Sequence, residues 1–236
     1  MIFNGSAMRM PHVQGLYRDQ ITLNADQCVP VTGDVTVSEA ACSEPVAVCM
    51  HAHSLAGDLR GKRVLVMGAG PIGVLCAALA KDAGAVEIVV TDLQDVPLKV
   101  ALEMGATSTI NVISDTDSMA EYAKGKGHFD VAFECTGAAP ALVSALGAMR
   151  PRGVIVQVGM SGDTAIPLGT LVAKELTHRG TFRFHNEFQQ AVDAISNRRI
   201  DVRPMITAQM PVDQAYAYTG DVMVQNMLRN DTKEGI

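Results

Sequence analysis

The chain has no run of Lys or Arg, no Cys-x-x-Cys pair, no internal repeat and no low-complexity tract. With a formal net charge of −6 and a pI near 5.5, the lack of basic runs excludes a dedicated surface for nucleic acid or an anionic membrane. Five scattered cysteines, Cys28, Cys42, Cys49, Cys76 and Cys135, are odd in number and carry no paired spacing, which argues against a disulfide framework and for a reduced, cytoplasmic setting. Residues 1–10 lack the apolar core of a secretory signal, so no targeting segment is expected. Residues 64–80 run seventeen positions without a charge, but that is the short limit for a membrane span, and three glycines and Pro71 interrupt it. What remains is a chain of 236 residues, 48% hydrophobic, long enough to bury a substantial core and suited to small-molecule chemistry.

The most informative stretch is Gly68-Ala69-Gly70-Pro71-Ile72-Gly73. A short apolar, β-branched run precedes it (Val64-Leu65-Val66-Met67), and an apolar run of strong helix formers follows from Val74 to Ala80, so the pattern predicts a strand entering a helix through a glycine turn. Gly68 permits the tight turn, Gly70 lets backbone amides approach a pyrophosphate, and Gly73 lets the helix pack closely. The anion of a dinucleotide would meet the helix N-terminus, where unpaired N–H groups favour negative charge. A second strand, residues 86–91, ends in Asp92, nineteen residues after Gly73, where an acid meets the adenosine ribose. Its carboxylate accepts from a free 2′-hydroxyl and repels a 2′-phosphate, which favours NAD over NADP. The alternative, that Asp92 caps the next helix with its apolar face of Leu98, Leu102 and Met104, is compatible with the first.

Strand-like and helix-like segments alternate beyond the turn, as in βαβ units of a parallel sheet. Strands are expected at 107–112, 128–134, 153–158 and 176–182, and helices at 116–124, 140–149 and 187–197. The sum is an α/β fold with a six-stranded, doubly wound parallel sheet. Ligands of such sheets bind outside the carboxyl ends of the strands. Three of those ends carry Cys135-Thr136-Gly137, Val158-Gly159-Met160 and Phe182-Arg183-Phe184. Residues 1–37 hold short β-like runs such as Gln20-Ile21-Thr22-Leu23, and residues 38–56 become helix-like with Glu44-Pro45 inside.

Phe3-Asn4-Gly5-Ser6-Ala7-Met8-Arg9, Pro11-His12-Val13-Gln14-Gly15, Glu44-Pro45, the glycine turn and Phe182-Arg183-Phe184 together resemble the zinc-dependent medium-chain dehydrogenases, in particular their polyol dehydrogenase branch. The resemblance covers residues 1–217. It implies a Rossmann nucleotide-binding domain at 54–190, a partial β-rich GroES-like catalytic domain and connecting helix at 1–53, and a return segment toward that domain at 191–236. The implied activity is NAD-linked oxidation of a secondary alcohol in a polyol or sugar acid, with zinc as the Lewis acid. By position, Glu44 matches a glutamate near the catalytic zinc. Ile72, Asp92, Val158, Gly159, Met160, Phe182, Arg183 and Phe184 match cofactor-contacting positions, and Arg183 also matches one that reaches substrate, a role suited to its planar fork. Family members commonly pair as homo-oligomers. The family's zinc-binding Cys and His-Glu pair have no counterpart in this sequence, and the tail after Ala217 departs from the family pattern, its polar end reading as a frayed terminus.

Bland readings stand beside these. His51 and His53, two apart on a helix, point in different directions and are read as packed or capping histidines. Cys135 is read as a small residue beneath the nicotinamide, since no base accompanies it. Two other functions remain open: an NAD-binding module without catalysis, and a zinc-free reductase on the same fold.

Overall fold

The computed structural model of the chain describes residues 10–13, 15, 18–160, 162–211 and 227–228. Residues 3–9, Gln14 and, apart from 227–228, the tail from 218 lie outside the described residues.

The alternation of apolar runs folds as expected. Six parallel strands, β1 (Arg63–Met67), β2 (Glu87–Asp92), β3 (Ser108–Asn111), β4 (Phe129–Glu134), β5 (Met149–Gln157) and β6 (Thr177–Gly180), form one sheet in the order β3-β2-β1-β4-β5-β6. The chain starts at the centre, winds to one edge, then crosses back, so the order reverses between β1 and β4. That junction opens a crevice at the carboxyl ends. Helices cover both faces. On one side α2 (Ser43–Ala56), α3 (Pro71–Asp82), α4 (Asp95–Met104) and α8 (Glu187–Ser196) share a core with Val64, Val66 and Phe133. On the other, α6 (Ala139–Ala148) packs Leu142, Ala145 and Leu146 against Leu65, Met67 and Ala132, flanked by α5 (Ser118–Ala123) and α7 (Leu168–Ala173). Central strands buried on both faces explain their unbroken apolar sequence.

Several expectations are corrected. Residues 20–23 form no strand; they precede a short 3₁₀ turn at Ala25–Gln27. Leu102 is 47% exposed, and Ala101 takes its place beside Leu98 and Met104 on the buried face of α4. β5 begins at Met149, not 153, because Met149 pairs with Phe129 across a register shift, and α6 ends one residue earlier. β6 stops at Gly180, so Phe182, Arg183 and Phe184 belong to the loop beyond it.

The helix-like region at 38–56 is two helices, α1 (Val37–Ala41) and α2, separated at Cys42. Thr36 and Glu39 cap α1 reciprocally: Thr36 Oγ1 accepts from the Glu39 amide at 3.3 Å while a Glu39 carboxylate oxygen accepts from the Thr36 amide at 2.9 Å. The expected domain limits at 53/54 and 190/191 fall inside α2 and α8, which pack on each other in one core. A small two-stranded parallel pair, β7 (Gln209–Met210) with β8 (Met227–Leu228), follows.

Candidate dinucleotide site

The turn between β1 and α3 is built by what glycine lacks. Gly68 has a positive φ of 91°, a region that side chains disfavour. A Cβ on Gly73 would sit 1.8 Å from the Gly68 carbonyl oxygen, so α3 can approach the turn only because that atom is missing. Gly70 is the N-cap of α3 with no side-chain cap, and Pro71 follows at the first helical turn, where its missing N–H costs nothing. The helix therefore presents backbone amides, uncapped by any side chain, to whatever lies in front of it.

Asp92 ends β2 beside this turn. One carboxylate oxygen accepts from the Ala69 amide at 2.6 Å, and the other accepts from the Leu93 and Gln94 amides at 2.7 and 3.0 Å. It does not cap α4, whose N-cap is Gln94. Instead it ties the glycine turn to the end of the neighbouring strand, and it lines a cavity of about 780 Å³. Gly68, Gly70, Pro71, Ile72, Gly73, Cys135, Thr136, Asp115 and Thr116 line the same cavity.

Gly137, Val158, Gly159 and Met160 are not in the cavity lining but lie in the loops that follow β4 and β5. The two strand-end loops touch: a Cβ on Gly159 would lie 2.2 Å from the Gly137 amide nitrogen, and one on Gly137 would lie 2.5 Å from the Met160 carbonyl oxygen. The thiol contact with Cys76 and burial hold the Cys135 thiol well above the usual range, which makes it a poor nucleophile. Cys76 in turn meets Cys49, so three cysteines distant in sequence adjoin beneath the turn.

Glu44, Arg183 and their neighbours form a separate group. Burial raises the Glu44 carboxyl pKa, and the nearby Arg183 charge opposes that rise. Arg183 is held in the left-handed region, φ 58°, with its guanidinium 5.2 Å from the Phe182 ring centroid. Phe184 is buried and stacks near Phe188, whereas Phe182 is half exposed. Glu187 fastens this loop to α2. It accepts from the His185 amide at 2.6 Å and meets His51 Nδ1 at 2.9 Å; burial pushes its pKa up, and these bonds together hold it below the usual value. His53 points elsewhere, stacked 4.3 Å from Phe133 and bonded to the Cys76 carbonyl at 3.1 Å. Burial pulls its pKa down to about 4.

Sequence reasoning passed over Glu134, Gln157 and Glu187. Two carboxylates, Asp130 and Glu134, in the fully buried strand Phe-Asp-Val-Ala-Phe-Glu were the available signal for the first, because a charge at a buried strand position demands partners.

The model of the zinc-binding dehydrogenase family matches residues 71–197, more than half the chain. The chain belongs to that family. The chain is 40% identical to L-idonate 5-dehydrogenase (NAD(P)(+)) of Escherichia coli K12 over 225 residues, 94% of this chain and 65% of the relative. It is 36% identical to D-xylulose reductase of Saccharomyces cerevisiae over 74% of this chain and 51% of that one. The crystal structure of L-idonate 5-dehydrogenase from E. coli superposes with a TM-score of 0.86 at 40% identity, covering 91% of this chain and 62% of the other. A zinc-binding dehydrogenase of Sinorhizobium meliloti, solved bound to NADP, gives 0.82 at 26% identity over 87% and 62%. The chain thus spans less than two thirds of the length of these relatives. Among its described residues, no three His, Cys, Asp or Glu side chains gather to hold a metal ion, so Glu44 stands without companion ligands. None of its described helices is long and apolar enough to cross a membrane.

Proposed function

We propose that the chain binds NAD and belongs to a dehydrogenase that oxidises a secondary alcohol of a polyol or aldonate, of the L-idonate to 5-keto-gluconate type. The observation that carries the reading is the Asp92 carboxylate, anchored to the glycine turn in the lining of the cavity. A 2′-phosphate there would meet Asp92, with Asp115 in the same lining, whereas a 2′-hydroxyl would find an acceptor. When bound, NAD supplies the acceptor for the hydride that leaves the carbinol carbon, while the hydroxyl proton is lost and a ketone remains.

The chain's own residues bind and orient. The N-terminus of α3 receives the pyrophosphate, Ile72 bears on the cofactor, and the loops at 135–137 and 158–160 support its nicotinamide half. Arg183 offers a fork for substrate hydroxyls or a sugar-acid carboxylate, and the Glu44 carboxyl lies within its electrostatic reach. Glu44 alone is too few ligands for zinc, and the described residues do not complete a site. A module that binds NAD without turnover is the second reading, favoured by that incomplete ligand set. In either reading residues 1–53 and 191–236 connect to a second domain, the chain works in the reducing cytoplasm, and copies associate.

Calorimetric titration of the purified chain and its Asp92→Asn variant with NAD and NADP tests this. NAD should bind at least about tenfold more tightly than NADP, and the variant should lose that preference, since tenfold corresponds to about 1.4 kcal/mol, the scale of one charge-assisted hydrogen bond. A folded chain that binds neither dinucleotide would sink the reading. Turnover of L-idonate in a zinc-supplemented assay would decide between enzyme and module.

A further inference from the structure

Glu134 ends β4 with no exposed surface, yet its side chain makes no hydrogen bond to a Lys or Arg among the described residues. Its four donors are neutral. One carboxylate oxygen accepts from the Thr136 amide at 2.8 Å and from the Thr136 hydroxyl; the other accepts from the Gly137 amide at 2.9 Å and from the Gln157 carboxamide. The same Gln157 nitrogen donates to the Gly159 carbonyl at 2.9 Å, and its oxygen meets His178 Nε2 at 3.2 Å. The Glu134 carbonyl completes the arrangement by accepting from the Val158 and Gly159 amides, each at 2.8 Å.

A buried carboxylate is costly, and it is retained only where its hydrogen bonds are satisfied. What these bonds join is specific. Two strand-end loops, 135–137 and 158–160, lie side by side across the crevice from Asp92, on the β4 and β5 side of the point where the strand order reverses. The adenosine half of a dinucleotide falls to the β2 side and the nicotinamide half to the β4 and β5 side. Glu134, fully buried, presents no surface to a ligand.

We propose that Glu134, acting through Gln157, is a positioning residue that sets the two loops under the nicotinamide half of the cofactor, leaving the adenosine half to Asp92 and the glycine turn. This rests on the NAD reading above. Glu134→Gln keeps the shape but turns one acceptor oxygen into a donor facing donors, so at least one loop loses its anchor.

The test is titration of the folded chain and its Glu134→Gln variant with NAD and with AMP, which carries the adenosine half alone, with thermal melting to confirm folding. The expected result is NAD binding weakened about tenfold with AMP binding unchanged, on the scale of one or two lost hydrogen bonds. A general disturbance of the fold would weaken both ligands, and either equal weakening or no weakening would overturn the proposal. If Glu134→Gln does not fold, Gln157→Met, which keeps the carboxylate and removes the bridge to Gly159, must show the same selective loss or the proposal fails. Absence of NAD binding by the unaltered chain would instead overturn the NAD reading, and this inference with it.

Discussion

Asp92 and Glu134 are both carboxylates at strand ends, but they were not equally legible. Asp92 could be read from spacing, because the distance from the glycine turn to the second strand end is set by one strand-helix-strand unit. Glu134 could not, since its meaning depends on Gln157, which lies on the next strand. His53 makes the same point and carries a pH prediction. Its pKa falls from 6.5 to about 4 on folding because burial against Phe133 disfavours the imidazolium. Between those values the unfolded chain binds more protons, so the His53 contribution is intact above pH 6.5 and declines as pH falls toward 4. The melting temperature should drop over that window, by at most about 1.4 kcal/mol of stability per pH unit from this residue. His53→Leu should flatten the drop, and an unchanged slope would show that other groups dominate acid sensitivity.

At the scale of elements, α3 is the clearest case of a local rule. Gly73→Ala would put a methyl group 1.8 Å from the Gly68 carbonyl, so helix or turn must move. We expect a loss of about 2 kcal/mol, as overpacking of a tight contact costs, with NAD binding abolished in the fraction that still folds. Melting and titration of the same sample would check both. Gly159→Ala should act on the other loop: a Cβ 2.2 Å from the Gly137 amide parts the two strand-end turns and weakens NAD more than AMP. Element boundaries were harder to read than element types. The strand expected from residue 153 begins at Met149, and β5 runs through the exposed Arg150, Pro151 and Arg152 because Met149 finds Phe129 as a partner. Leu102 fits the helical period of α4 but faces solvent, as the neighbouring turn buries Ala101.

For the molecule as a whole, β6 ends the sheet with one edge unpaired among the described residues, and Met160, Leu168, Val172 and Phe182 are exposed in the segment around it. Apolar side chains near an open edge favour association. Sedimentation velocity should reveal concentration-dependent oligomers, and Val172→Lys should shift the distribution toward monomer; a monomer at all concentrations would remove the homo-oligomer expectation. Much of this molecule was determined by sequence alone. The apolar runs, the glycine spacing and Asp92 specify a doubly wound sheet and the glycine turn between its first strand and helix, because strand, turn and helix preferences act over a few residues and one βαβ unit. The tertiary structure decided the rest: the grouping of Cys49, Cys76 and Cys135, the His51–Glu187 pair 136 residues apart, and the carboxylate of Glu134 beneath two loops. Those contacts join residues with no local relation, and only the packing of helices on both faces of a closed strand order brings them within reach.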